Sequence, residues 1–344
     1  SSPPAPTPDP APTPEPDQVP EWEVRESFSD STGGEVYHPV TVLISPASKG
    51  TISGVIRASR SLDDKILVGK VTHTERRQIW LFFTVLRKDF PGNGFLKNQK
   101  GDILVGRYIS PGDTVRISTL DSTSVSFLTH YQTDFPAAVP AFSEGMASVS
   151  STLSLDSTRL IPTDSSFVVA SPGAYLFQRD TLSPTGHTIM AFDDYPKYTR
   201  FRNLTGPLVY ICTKSEFDRL RQAGEDKKAF DRVILSITGN SERARIFMRS
   251  YFRRVELANT LFTSYKEGWK TDRGMMLIIF GAPDTVYRFK DREVWSYKNS
   301  TFTGSFDFVR SGTLFDPDNY VLIRNQKYKE DWYEIVYLWR NARF

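Results

Sequence analysis

From about Trp22 to Cys212, apolar positions come in short runs broken by Ser, Asp, Gly and Pro, the pattern of strands joined by turns. Val40–Ile44, Lys65–Val68 and Gln78–Leu86 are runs of this kind, and Pro91–Gly94 is a turn signal. Ile103–Val105, Val115–Ile117, Val125–Leu128, Phe167–Ala170 and Tyr175–Phe177 continue the series. Short strands spaced this closely predict two β-sandwich modules of immunoglobulin-like type, over 22–100 and 101–212.

Past Cys212 the period changes. Thr213 and Glu216 have the spacing of a capping box, which predicts a short helix ending at Gly224, and a second helical stretch ends near Gly239. Asn240 or Ser241 then caps a longer helix, in which Ala244, Phe247, Tyr251, Val255, Ala258 and Phe262 recur at spacings of three and four to form one apolar face. The apolar run Met275–Phe280, bounded by the turn Gly281–Asp284, predicts a central buried strand. Val286–Phe289, Glu293–Tyr297 and Gly304–Val309 are expected as its antiparallel neighbours. Trp332, Ile335, Val336 and Trp339 predict a closing helix within 328–343. The expected architecture is multidomain: a Pro-rich disordered tether at 1–21, the two sandwich modules, and an α+β domain with an antiparallel sheet over 213–344.

Composition narrows the function classes. The first twenty residues hold nine of the 22 prolines, so they form an extended spacer that builds neither helix nor ladder. A spacer behind Ser-Ser resembles the opening of a bacterial lipoprotein, with a lipidated cysteine just upstream and missing from this chain. The net charge of +3 lacks the concentrated basic surplus of a nucleic-acid binder. Cys212 is the single cysteine, so no intrachain disulfide and no multi-cysteine metal site forms, and its apolar setting predicts a buried, inert thiol. No apolar run reaches the ~18 residues that a membrane span needs. The four histidines (His38, His73, His130 and His187) are scattered singly, and neither a phosphate-binding glycine loop nor a nucleophile elbow occurs. Asp193-Asp194 and Asp316-x-Asp318 read as turn formers, with a weak calcium site as the alternative. No cofactor and no metal is expected.

Four motifs follow one another in order: Tyr251-Phe-Arg-Arg254 with Ala258-Asn259 and Phe262, then Gly268-Trp-Lys-Thr-Asp-Arg-Gly274, then Phe280-Gly-Ala-Pro-Asp284, then Glu293-Val-Trp295. Over about Leu208 to Phe344 this series resembles the GWxTD-domain family of Bacteroidota, and 131–143 with Gly173–Tyr175 resembles the β-rich part that precedes the domain there. The resemblance implies an exported or envelope-associated protein. The family has no assigned reaction, so the resemblance supplies no catalytic residue.

The candidate site is the named loop: Gly268, Trp269, Thr271, Asp272, Arg273 and Gly274. Its residue types suit a structural turn, with glycines supplying conformations closed to other residues, Trp269 burying its ring, and Arg273 pairing with Asp272 or Glu293. A ligand or partner loop is the alternative. Arg243, Arg249, Arg253 and Arg254 lie largely off the apolar stripe of the long helix and are a candidate surface for an acidic partner. The leading expectation is a non-catalytic outer-membrane-associated lipoprotein, an interaction or scaffold subunit whose partners are other envelope proteins, such as outer-membrane barrels or their lipoprotein partners. A carbohydrate- or peptidoglycan-binding module is a second reading, resting on exposure of Trp80, Trp295 or Trp332. A hydrolase with Asp272 in an open cleft is the third.

Overall fold

The computed structural model describes residues 94–344, apart from 102–103, 105, 120–124, 133–134, 144–153, 184–185 and 290, together with three strands nearer the N-terminus. The spacer at 1–18, the run Val40–Ile44, His38 and the turn at 91–93 lie outside the described residues, as do 103 and 105. The chain divides into two compact units, Ser1–Pro91 and Gly92–Phe344. In the first, β1 (Val19–Arg25), β2 (Lys65–His73) and β3 (Gln78–Leu86) form an antiparallel sheet in that order.

The second unit opens with two sheets. β4 (Gly94–Asn98), β6 (Thr114–Thr119) and β9 (Ser166–Val168) form one, in that order. The other runs β5-β11-β10-β7-β8, from β5 (Tyr108–Ile109), β7 (Val125–Gln132), β8 (Ser154–Pro162), β10 (Gly173–Gln178) and β11 (His187–Ala191). Its pairs are antiparallel except β5 with β11. Leu96, Val115, Ile117 and Phe167 from the first sheet meet Leu128, Ile161, Tyr175 and Ile189 from the second in one buried cluster. β4 falls inside the 22–100 span read as the first module, yet it pairs with β6 and belongs to the second unit.

The expected β character up to Cys212 ends early. α1 (Phe201–Thr205) and a 3-10 turn at Gly206–Tyr210 occupy 201–210, because Pro207 at the start of that turn has no N–H to give a ladder. α2 (Lys214–Ala223) begins at the expected capping box: Thr213 Oγ1 accepts from the Glu216 N–H and Glu216 accepts from the Thr213 N–H. α3 (Lys227–Thr238) ends on Gly239 in the left-handed region, at φ 85°. α4 (Ser241–Phe262) is capped by Asn240, whose side chain accepts from the Arg243 N–H. Its apolar face is the expected one, with Phe247, Tyr251, Val255 and Ala258 buried.

The run Met275–Phe280 is not a strand. It lies in α5 (Asp272–Phe280), where every residue but Arg273 is buried. A helix enclosed on all sides needs no polar face, so its sequence is as uniformly apolar as that of a central strand. The sheet beyond it is antiparallel, in the order β12 (Thr285–Arg288), β13 (Arg292–Lys298), β14 (Thr303–Arg310), β15 (Tyr320–Leu322). Trp295 and Tyr297 of β13 with Phe306 and Phe308 of β14 join α5 in the larger core. α6 (Lys329–Arg340) closes that core with Trp332, Ile335 and Trp339. Trp339 Nε1 donates to the Ile279 carbonyl at 3.0 Å, satisfying one of the acceptors left open at the end of α5.

Candidate functional site

The Gly-Trp-Lys-Thr-Asp-Arg-Gly segment joins α4 to α5 as a 3-10 turn, Gly268–Lys270, followed at once by the helix. A Cβ on Gly268 would stand 2.1 Å from the Ala258 carbonyl oxygen, and one on Gly274 would stand 1.9 Å from the Gly268 carbonyl oxygen. Neither glycine is among those with positive φ. The expectation that they supply unusual backbone conformations is therefore corrected: they supply room, Gly268 for the turn to lie on the backbone of α4 and Gly274 for α5 to begin against the Gly268 carbonyl.

Trp269 is 6% exposed. Its Nε1–H donates to the Tyr198 hydroxyl (2.9 Å), its backbone N–H to Asn259 Oδ1 (3.0 Å), and its carbonyl accepts from the Tyr210 hydroxyl (2.8 Å). Asn259 is fully buried and also donates to the Pro196 carbonyl (2.8 Å), so it ties α4 both to the turn and to the segment after β11. Thr271 caps α5: its Oγ1 accepts from the Gly274 N–H (3.0 Å) and donates to the Gly268 carbonyl (2.7 Å).

Asp272 and Arg273 part company. Asp272, 8% exposed, accepts from the Leu322 N–H (2.8 Å) and from both terminal nitrogens of Arg324. That guanidinium continues to the Val139 carbonyl (3.1 Å). The Ala138 N–H in turn donates to the Lys270 carbonyl (2.9 Å), so segment 135–143 is stitched to the turn. Arg273 lies over the rings of Phe262 and Tyr320, donates to the Asp318 carbonyl (3.1 Å), and pairs with Glu293 (3.6 Å) rather than with Asp272. Lys266, just before the turn, donates to the Pro136 carbonyl (3.2 Å), and burial pulls its ammonium down to about 8.

Beside the turn lies a cleft of about 410 Å³. Glu267, Trp269 and Lys270 form one wall, with Phe192, Tyr195 and Tyr198 from the segment after β11 among its other lining residues. Asp272, which the hydrolase reading places in an open cleft, is not among those lining residues.

The candidate arginines of α4 divide. Arg249 and Arg253 are exposed and Arg243 is half-buried. Arg254 turns inward: it donates to the Ile278 and Ile279 carbonyls (3.1 and 3.2 Å) and lies over the Trp339 ring. It caps the end of α5 and offers no partner surface.

Trp295 and Trp332 are 3% and 2% exposed, which removes two of the three rings on which the sugar-binding reading rested, and the side chain of Trp80 lies outside the described residues. Asp194 accepts from Thr199, Arg200 and Asn203 and so organises its own loop, whereas Asp316 accepts from the distant Arg107 and Ser264 and ties its loop to both. Among the described residues, no group of three or more His, Cys, Asp or Glu is gathered around one point. Burial pushes the Cys212 thiol up to about 12, which keeps it protonated. No described helix is long and apolar enough to cross a membrane.

Sequence reasoning did not assign roles to Asn259, Arg324, Tyr195 or Tyr198. Asn259 carried a signal, being a polar residue beside the buried stripe of α4. Arg324 carried none, since its partner lies 52 residues away.

The fold and the turn define a class: an α+β domain built around a buried Gly-Trp-x-Thr-Asp brace, with two strands of a preceding sheet included. The family model for the GWxTD domain matches residues 173–341, so the chain carries a GWxTD domain. The match opens on the first residue of β10. No curated protein and no solved structure matches the chain.

Proposed function

We propose that the protein is a non-catalytic binding protein of the bacterial cell envelope, a lipoprotein that holds other envelope proteins as a subunit of an outer-membrane assembly. The bonding of the motif carries the reading. Asp272 and Arg273, two of its three ionisable residues, are each engaged by partners inside the fold, and so act as struts that lock α4, α5, β15 and segment 135–143 together. The Pro-rich first twenty residues support a spacer between a membrane anchor and the folded units. The two sheets that enclose one core suit an immunoglobulin-like module, a frequent carrier of binding surfaces.

The partner surface that fits best is the outer face of α4. Ile246, Arg249, Arg253, Leu257 and Leu261 follow one another at helical spacing, the three aliphatic residues being 38%, 43% and 57% exposed. Arg249 and Arg253 close no ion pair with a described residue, whereas neighbouring Arg245 pairs with Glu242. Exposed aliphatic and guanidinium groups in one stripe suit an acidic protein surface. Mild-detergent purification of the native protein from membranes tests the reading: co-purifying envelope proteins support it, and recovery of the chain alone opposes it.

A further inference from the structure

The cleft beside the turn has walls of ring carbon and a rim of hydrogen-bond acceptors. Phe192, Tyr195, Tyr198 and Trp269 contribute the rings. Both phenols are held in place from within: Tyr195 accepts from the Gly268 N–H (3.1 Å) and Tyr198 from Trp269 Nε1–H. The brace formed by the motif thus fixes the rings before any ligand arrives, which lowers the ordering cost of binding.

The charges on the lining are already balanced. Arg202 donates to Asp193 (3.2 Å) and Lys270 pairs with Glu267 (2.9 Å). These contacts leave acceptors over. Arg200 and Arg202 both bond Asp193 through Oδ2, Lys270 meets Glu267 at Oε2, and Asn203 is held through Nδ2 by Asp194. Asp193 Oδ1, Glu267 Oε1 and Asn203 Oδ1 carry no bond among the described residues.

An anion would meet three open acceptors there, and a cation would find no net negative charge to offset its lost hydration. A neutral ligand with O–H or N–H donors on a carbon frame satisfies both the rim and the rings. We infer that this cleft is a binding site for a neutral saccharide, its hydroxyls donating to Asp193, Asn203 and Glu267 and its carbon faces lying against the aromatic wall. The inference goes beyond the envelope-binding reading, since it concerns a small-molecule site that the partner surface on α4 does not need.

The test is a titration of the full chain with maltose, cellobiose and N,N′-diacetylchitobiose, followed by calorimetry and tryptophan fluorescence, with tri-alanine as the peptide comparison. At least one disaccharide is expected to bind saturably. Asn203→Ala should weaken it about tenfold, as expected for one hydrogen bond to the ligand, and Glu267→Gln, which trades a charged acceptor for a neutral one, should weaken it less. Lys228→Ala, outside the cleft lining, should leave it unchanged. Melting curves of the variants separate lost binding from lost folding, and Glu267→Gln preserves the side-chain shape. Three results overturn the inference: no saturation by any disaccharide up to roughly tens of millimolar, equal binding by folded variants, or saturation by the peptide alone. Failure here leaves partner capture untouched. Cleavage of a bound disaccharide would instead keep the site and end the non-catalytic reading.

Discussion

At Gly268 one methyl group decides whether the turn can rest on α4. The hydrogen at that position faces the Ala258 carbonyl, and a Cβ would come within 2.1 Å of its oxygen, a contact that backbone cannot relieve without moving a helix. Gly268→Ala should therefore cost about 3 kcal/mol or more, measured by chemical denaturation. Thr271→Ala removes only a helix cap and should cost about 1 kcal/mol, leaving a folded protein. A smaller loss for the glycine variant than for the threonine variant would contradict the close-packed turn. The residue types of the turn were legible in sequence as a structural device, and Trp269 buries its ring as expected. The role of the glycines was not, because tight approach and positive φ select the same residue. Gly239 and Gly281, both at φ 85°, are among those whose conformation asks for glycine.

Among elements, α2 and α6 meet through Glu216 and Arg340, which form two hydrogen bonds at 2.7 and 2.8 Å. Glu216 also accepts from the Thr213 N–H, so the capping box and the closing helix share one carboxylate. Arg340, ahead of the cap, holds the Glu216 carboxyl well below its ordinary 4.5, at about 2. The fold favours the ionised form, so this contribution is complete above pH 4.5 and disappears as the pH falls towards 2. Glu216→Gln should lower the melting temperature at neutral pH and flatten its fall across that acid window; an unchanged acid slope would rule out the linkage. Helices α2, α3, α4 and α6 were legible because each keeps a polar face, and β13 because Glu293, Trp295 and Tyr297 alternate inward. α5 was not legible. Its apolar run has no polar face to reveal a period of 3.6, and the decisive signs are the Thr271 cap and Asp272 in the first turn, residue types that suit a loop equally well.

Across the whole molecule, the family match and the folding unit have different limits. The match spans 173–341 and begins on β10, a strand that pairs with both β11 and β7. A fragment starting at Gly173 would lose β5, β7 and β8 from that sheet and uncover Tyr175 and Phe177, which are 3% and 1% exposed. Residues 92–344 are accordingly expected to melt cooperatively as an isolated unit, whereas 173–344 should aggregate or lack dispersed amide resonances; a well-folded 173–344 would disprove the shared sheet. Much of the order of elements could be read from the chain, yet the tie of Asp272 to Arg324 across 52 residues belongs to the tertiary structure alone. Capture from native membranes in mild detergent, comparing the wild type with the Arg249→Glu/Arg253→Glu variant by mass spectrometry, tests the proposed binding role. Envelope proteins should be recovered with the wild type and lost when the two α4 charges are reversed. Recovery of the wild-type chain alone, or partners equally retained by the folded variant, would contradict that role.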